Sequence, residues 1–196
     1  MCSSDLNPSG QVLAEQASAY PAPFEDAAGW RDGLIALCAA LPPALRARVA
    51  AIAVDGTSGT VLLCRPDGQP ASGELGLAMP YHRACPEQAA VAAALVGPAA
   101  AGSPAATASG SLARALALLQ VAGAGSAPGP WLLRHQADWL MGWLLGHWRW
   151  GEEGNNLRLG WDLEANAWLG AIGRQPWSAA LPQICASGSV LGPLAP

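Results

Sequence analysis

The sequence predicts an α/β protein, on three observations. Short apolar runs of strand length alternate with stretches of helical spacing, and the joints between them are rich in glycine, proline and small polar residues. No apolar run approaches the roughly 18 uninterrupted residues of a spanning helix, because Pro42-Pro43 or Arg134, His135 and Asp138 cut the longest ones. The 196 residues suit one domain or a little more, enough for a sizeable core. Of these, 52% are hydrophobic and 12% charged, about half the usual charged share. No basic start followed by an apolar run marks a secretory signal, so the expectation is a soluble, cytoplasmic protein with no membrane partner.

The elements follow in order. "MCSSDL" fits nothing after it, and CSSDL is what the end of a common sequencing adapter reads as when translated. Residues 1–6 are therefore read as a cloning or assembly scar outside the fold. Asn7-Pro8-Ser9-Gly10 is a turn signal, and Gln11 to Tyr20 then reads as a strand. From Trp30, apolar residues at 34, 37, 38 and 41 keep to one helical face until Pro42-Pro43. Val49 to Val54 reads as a buried strand and residues 60–64 as another, followed by a turn at Pro66-Asp67-Gly68. Pro86 opens a helix to about Leu95. After a small-residue connection over 97–110, Ser111 caps a helix from Leu112 to Gln120. "AGAGSAPGP" leads to a helix from His135 to Gly146, and a shorter helical piece covers Asn166 to Gly173.

Charge and composition exclude several functions. The net charge of −4 offers no basic footprint for nucleic acid. All ten cationic residues are arginine. Without lysine the chain has neither a P-loop phosphate site nor a Schiff-base centre. The five cysteines are widely spread with no CxxC pair, and read as reduced thiols. His82, His135 and His147 show no metal-ligand spacing, so no metal site is expected.

The segment richest in chemistry is Asp55-Gly56-Thr57-Ser58-Gly59-Thr60, between two apolar runs. In an α/β sheet, ligands bind beyond the carboxyl ends of strands. Gly56 and Gly59 allow close backbone approach, while Thr57 and Ser58 offer hydroxyls that donate and accept, which suits a polyhydroxylated ligand. A plain turn organised by Asp55 is the alternative. Gly56-Thr57-Ser58-Gly59-Thr60 also approaches the nucleophile elbow of a serine hydrolase with Ser58 as nucleophile. That elbow requires glycine where Thr60 stands, and a helix rather than a strand after it. "DWLMGWLLGHWRW" sets Trp139 and Trp143 one helical turn apart, fitting a buried helix face better than a stacking platform. Glu152-Glu153 reads as a solvated turn.

"AIAVDGTSGTVLLC" followed by "RPDGQP" resembles the second conserved block of the FGGY carbohydrate kinases, closest to the D-ribulokinase-like pentulose kinases. "YHRACPEQ" (81–88) is similar to that branch's Tyr-Asn-x-Ala-Cys-Pro segment, with His82 replacing asparagine. "ASGSLARALALL" (108–119) is similar to its Ser-Ser-Leu-Ala-Lys helix start, with Arg114 in place of lysine. "HQADWL", "NNLRLGWD" (155–162) and "LPQICASGSVLGPL" (181–194) resemble later segments in the family's order.

The resemblance implies an actin-like, RNase H-like fold of two domains around a cleft. Residues 7–196 would be a partial sugar-binding domain, lacking the first strand and the second domain. It implies an enzyme that transfers the γ-phosphoryl group of ATP, with Mg²⁺, to a hydroxyl of a ketopentose such as D-ribulose. Thr57 and Ser58 would contact the sugar, Asp55 would organise the loop or touch a hydroxyl, and Tyr81 and His82 would lie on a second loop near the cleft. Arg114 would face a phosphate or hold a neighbouring carbonyl. The family's base follows a Gly-Thr-Asp segment expected beyond Pro196. No catalytic residue is therefore assigned here, ATP would bind through the missing second domain, and the chain alone is expected to be inactive. A non-functional truncated product is the remaining alternative.

Overall fold

The computed structural model describes residues 1–123 and 131–196. They divide into two compact units, Met1–Val54 and Asp55–Pro196.

In the first unit, strand β1 (Cys2–Leu6) pairs antiparallel with β2 (Val12–Ala17). Asn7 builds the turn between them. Its Oδ1 accepts the N–H of Ser9 and of Gln11 at 3.0 and 2.9 Å, and Gly10 supplies a φ of +79°. Cys2–Leu6, within the hexapeptide that the sequence reading set outside the fold, is thus the first strand of a hairpin. Helix α1 (Ala27–Ala40) begins at Asp26, whose carboxylate caps the N–H of Ala28 at 2.9 Å. Trp30 is fully buried and donates its indole N–H to Phe24 O. Pro42-Pro43 ends α1 as expected, and a single turn, α2 (Pro43–Arg46), follows.

Val49 to Val54 is not a strand. Its residues join no ladder, and Val49 and Ile52 are exposed.

In the second unit, β3 (Val61–Cys64) has no free edge. It pairs antiparallel with β4 (Leu132–His135) on one side and bridges Met79 and Pro70 on the other. All four β3 residues are buried, as a continuous apolar run predicts. The Pro66-Asp67-Gly68 turn stands as expected, with Gly68 at φ +78°. Pro86 opens a 3₁₀ turn that runs into α3 (Ala89–Val96), ended by Gly97. Helix α4 (Ser111–Val121) is buried on nearly every side. Leu112, Leu116 and Leu119 pack with Val61, Leu63, Leu133 and Ile172 into the core. Each such leucine contributes about 1.5–3 kcal/mol by leaving water. Ser111 does not cap α4. Gly110 holds the cap position, and Ser111 Oγ turns to His135.

Helix α5 (Gln136–Leu145) starts directly after β4 and ends at Gly146 in the left-handed region. Then come β5 (Trp150–Glu152), the single turn α6 (Glu153–Asn156), β6 (Trp161–Asp162), β7 (Ala167–Trp168) and β8 (Gln183–Cys185). β5 pairs parallel with β8, and β6 antiparallel with β7. Of the helical piece expected over 166–173, the first three residues belong to this β6–β7 hairpin, and only the 3₁₀ turn Ile172–Arg174 is helical. Asp162 Oδ1 accepts the N–H of Glu164 and Ala165, Asn166 takes φ +49°, and the Trp161 and Trp168 rings meet edge to face across the pair. Most of the "AGAGSAPGP" connection lies outside the described residues. The chain is mixed α/β, and no helix among the described residues is long and apolar enough to cross a membrane.

Candidate functional site

The loop Asp55–Thr60 is held from three directions. Gln136, the first residue of α5, accepts at its Oε1 both the N–H and the hydroxyl of Thr57, each at 3.0 Å. Thr57 Oγ1 lies 2.7 Å from Thr60 Oγ1, which in turn accepts the N–H of Tyr81 at 3.1 Å. The Gly59 carbonyl accepts Nε of Arg114 at 2.8 Å. Asp55 Oδ1 accepts the N–H of Gly56, organising the loop from its first residue.

The two glycines permit close approach, but to the protein's own residues. A β-carbon at Gly56 would lie 3.1 Å from the Ala137 nitrogen, and one at Gly59 2.7 Å from Arg114 Nη2. Gly59 also sits at φ +97°. Thr57 is half-buried, whereas Asp55, Ser58, Tyr81 and His82 are exposed. The rings of Tyr81 and His82 stand edge to face, 5.3 Å apart. The hydrogen bond from Tyr81 to Thr60 therefore joins the two segments nominated by sequence, with four of their polar side chains in solvent. Ser58 makes no side-chain hydrogen bond among the described residues.

Arg114 is fully buried. Besides Gly59 it binds the carbonyls of Arg83 at 2.7 Å and Ser109 at 3.0 Å. Of the two roles expected for it, holding carbonyls is the one these bonds describe.

A Ser-His-Asp set does exist, at a place the sequence did not suggest. His135 Nε2 lies 3.1 Å from Ser111 Oγ, and its Nδ1 lies 3.5 Å from Asp138 Oδ2. Asp138 is fixed by the Glu152 N–H at 3.0 Å and Asn156 Nδ2 at 3.1 Å. All three are buried, at 0%, 1% and 1% exposure for Ser111, His135 and Asp138. No substrate reaches that hydroxyl, so the set acts as a polar lock among α4, β4, α5 and β5.

Other polar groups are equally well explained. Arg134, buried at the centre of β4, donates to the carbonyls of Trp148 and Ala180 at 2.7 and 2.9 Å. Burial lowers its pKa to about 10, opposed by the neighbouring Cys64 and Asp138. Cys64 beside it is pushed up to about 12 by burial, an inert thiol. Trp139 is buried and donates to Gly68 O at 2.9 Å, a packed residue of α5, while Trp143 is half-buried. Trp148 Nε1 donates to Trp139 O, and its ring fills the space at Gly68 and Gly142, where a β-carbon would fall inside the indole. Glu152 is not a freely solvated turn residue. It caps α6 through Gly154 and Asn155 and accepts the Ser187 hydroxyl at 2.5 Å. Burial alone would raise this carboxyl, but the bonds from Ser187, Gly154 and Asn155 outweigh it and hold it below its ordinary value.

Sequence reasoning missed Gln136 and Thr60 as the loop's anchors. Among the described residues, no three His, Cys, Asp or Glu side chains gather as metal ligands do. The chain matches no protein-family model.

Proposed function

We propose that the chain is the sugar-binding portion of a carbohydrate kinase of the FGGY type, with an actin-like, RNase H-like domain as its fold. The Asp55–Thr60 loop takes the hydroxyls of a ketopentose such as D-ribulose. The observation that carries the reading is the Tyr81–Thr60 hydrogen bond, which sets Asp55, Ser58, Tyr81 and His82 around one anchored loop. Side chains that donate and accept, on a backbone fixed by Gln136 and Arg114, suit a ligand recognised hydroxyl by hydroxyl.

In the complete enzyme, ATP and Mg²⁺ supply the phosphoryl group and neutralise its charge. In this reading the chain's part is to bind and orient the sugar.

Titration calorimetry with D-ribulose tests the reading. The chain binds the sugar, Ser58→Ala weakens binding about tenfold, the value of one hydrogen bond, and an ATP-coupled assay shows no turnover by the chain alone. Absence of ribulose binding, or binding indifferent to Ser58→Ala, overturns it.

A further inference from the structure

Two guanidinium groups meet at one carbonyl oxygen. Arg114 Nη2 and Arg158 Nη2 donate to Ser109 O at 3.0 and 3.1 Å. Among the described residues neither has a carboxylate within ion-pair distance; the ion pairs there are Arg31–Asp32 and His135–Asp138. Two like charges so placed repel, and the burial of Arg114 removes the water that would screen it. In keeping with this, burial first and Arg158 second hold the Arg114 guanidinium below its ordinary value.

The two arginines differ in what their donors do. Arg114 uses three on the carbonyls of Gly59, Arg83 and Ser109. Arg158 makes one bond, to Ser109, and its Nε is shut off from solvent without an acceptor. A buried donor left unmatched is costly, and the Arg158 side chain as a whole is only half-buried.

Gly59 lies against both groups. A β-carbon there would stand 2.7 Å from Arg114 Nη2 and 3.8 Å from Arg158 Nε, so no side chain comes between them. Hydroxyls stand close in the chain: Ser58 and Ser109 are exposed, and Ser109 Oγ lies 3.3 Å from Thr107 Oγ1.

We propose that Arg158, backed by Arg114, is a binding site for the phosphate group of a phosphomonoester, beside the Asp55–Thr60 loop. A guanidinium with free donors, surplus positive charge and neighbouring hydroxyls is the chemistry that recognises a phosphate dianion. That the ester is a sugar phosphate rests on the ketopentose reading of the loop; the phosphate site itself does not.

Inorganic phosphate is the first probe, titrated into the chain at constant ionic strength and followed by melting temperature and ³¹P line width. Binding is saturable in the millimolar range. Arg158→Gln weakens it about tenfold, with a circular dichroism melt to verify the fold. Arg158→Lys, which keeps the charge but loses the fork, falls between the two. Arg149→Gln, at an exposed arginine over the Trp150 ring, leaves binding unchanged. No saturable binding, or equal losses in Arg158→Gln and Arg149→Gln, overturns the site. D-ribulose 5-phosphate binding more tightly than ATP fits the sugar-phosphate assignment, and the reverse order overturns that assignment. Titration with unphosphorylated D-ribulose is read separately, so the phosphate site and the sugar reading fail independently.

Discussion

Gln136 and Thr57, 79 residues apart in sequence, share two hydrogen bonds of 3.0 Å through a single amide oxygen. That oxygen fixes the backbone and the side chain of the loop's central residue at once. Gln136→Leu leaves the half-buried Thr57 N–H without its acceptor and is expected to cost about 1–3 kcal/mol, read as a lower denaturant midpoint. Gln136→Glu keeps an acceptor at the same place and costs less. Equal losses would show that the amide oxygen is not the anchor.

Gly59 meets two independent constraints, a φ of +97° and the Arg114 guanidinium. Gly59→Ala is expected to destabilise the fold by about 2 kcal/mol, a fall of about 4–8 °C in melting temperature. Gly102, with a non-positive φ and open space around it, is the control, and Gly102→Ala is expected to leave the melt near its original position.

Glu152 gives the acid limb of stability a specific source. Its folded-state pKa lies below the ordinary value of 4.5, because hydrogen bonds from Ser187, Gly154 and Asn155 outweigh burial. A group depressed in the folded state contributes stability that is fully present above its unfolded pKa and is lost as pH falls through the folded one. Urea midpoints measured from pH 7 downward are expected to drop below about pH 4.5. Glu152→Gln flattens that part of the profile, and an unchanged acid slope in this variant would sink the assignment.

What the sequence made legible was local. Helix α1 declared itself by spacing and by Pro42-Pro43, and β3 by a four-residue apolar run. Leu132 to His135 hid as a strand because Arg134 and His135 look like surface. Their burial depends on the carbonyls of Trp148 and Ala180 and on Ser111, all distant in sequence. Val49 to Val54 misled in the opposite direction, since strand composition does not by itself supply a pairing partner. The same division runs through the site. The hydroxyls of Thr57 and Ser58 were visible as chemistry, whereas the anchors Gln136 and Arg114 come from other elements. Ser111, His135 and Asp138 were each readable as a lone residue, and only the packing of α4 against β4 and α5 makes them a set.

The indole of Trp148 occupies space that exists only because Gly68 and Gly142 have no side chains. These three positions form one heritable unit. A larger residue at either glycine demands a smaller one at 148, and a smaller residue at 148 leaves a hollow that only enlargement at 68 or 142 can refill. Among descendants of this gene, the three sites should drift together or stay fixed, even as the loops around them vary freely.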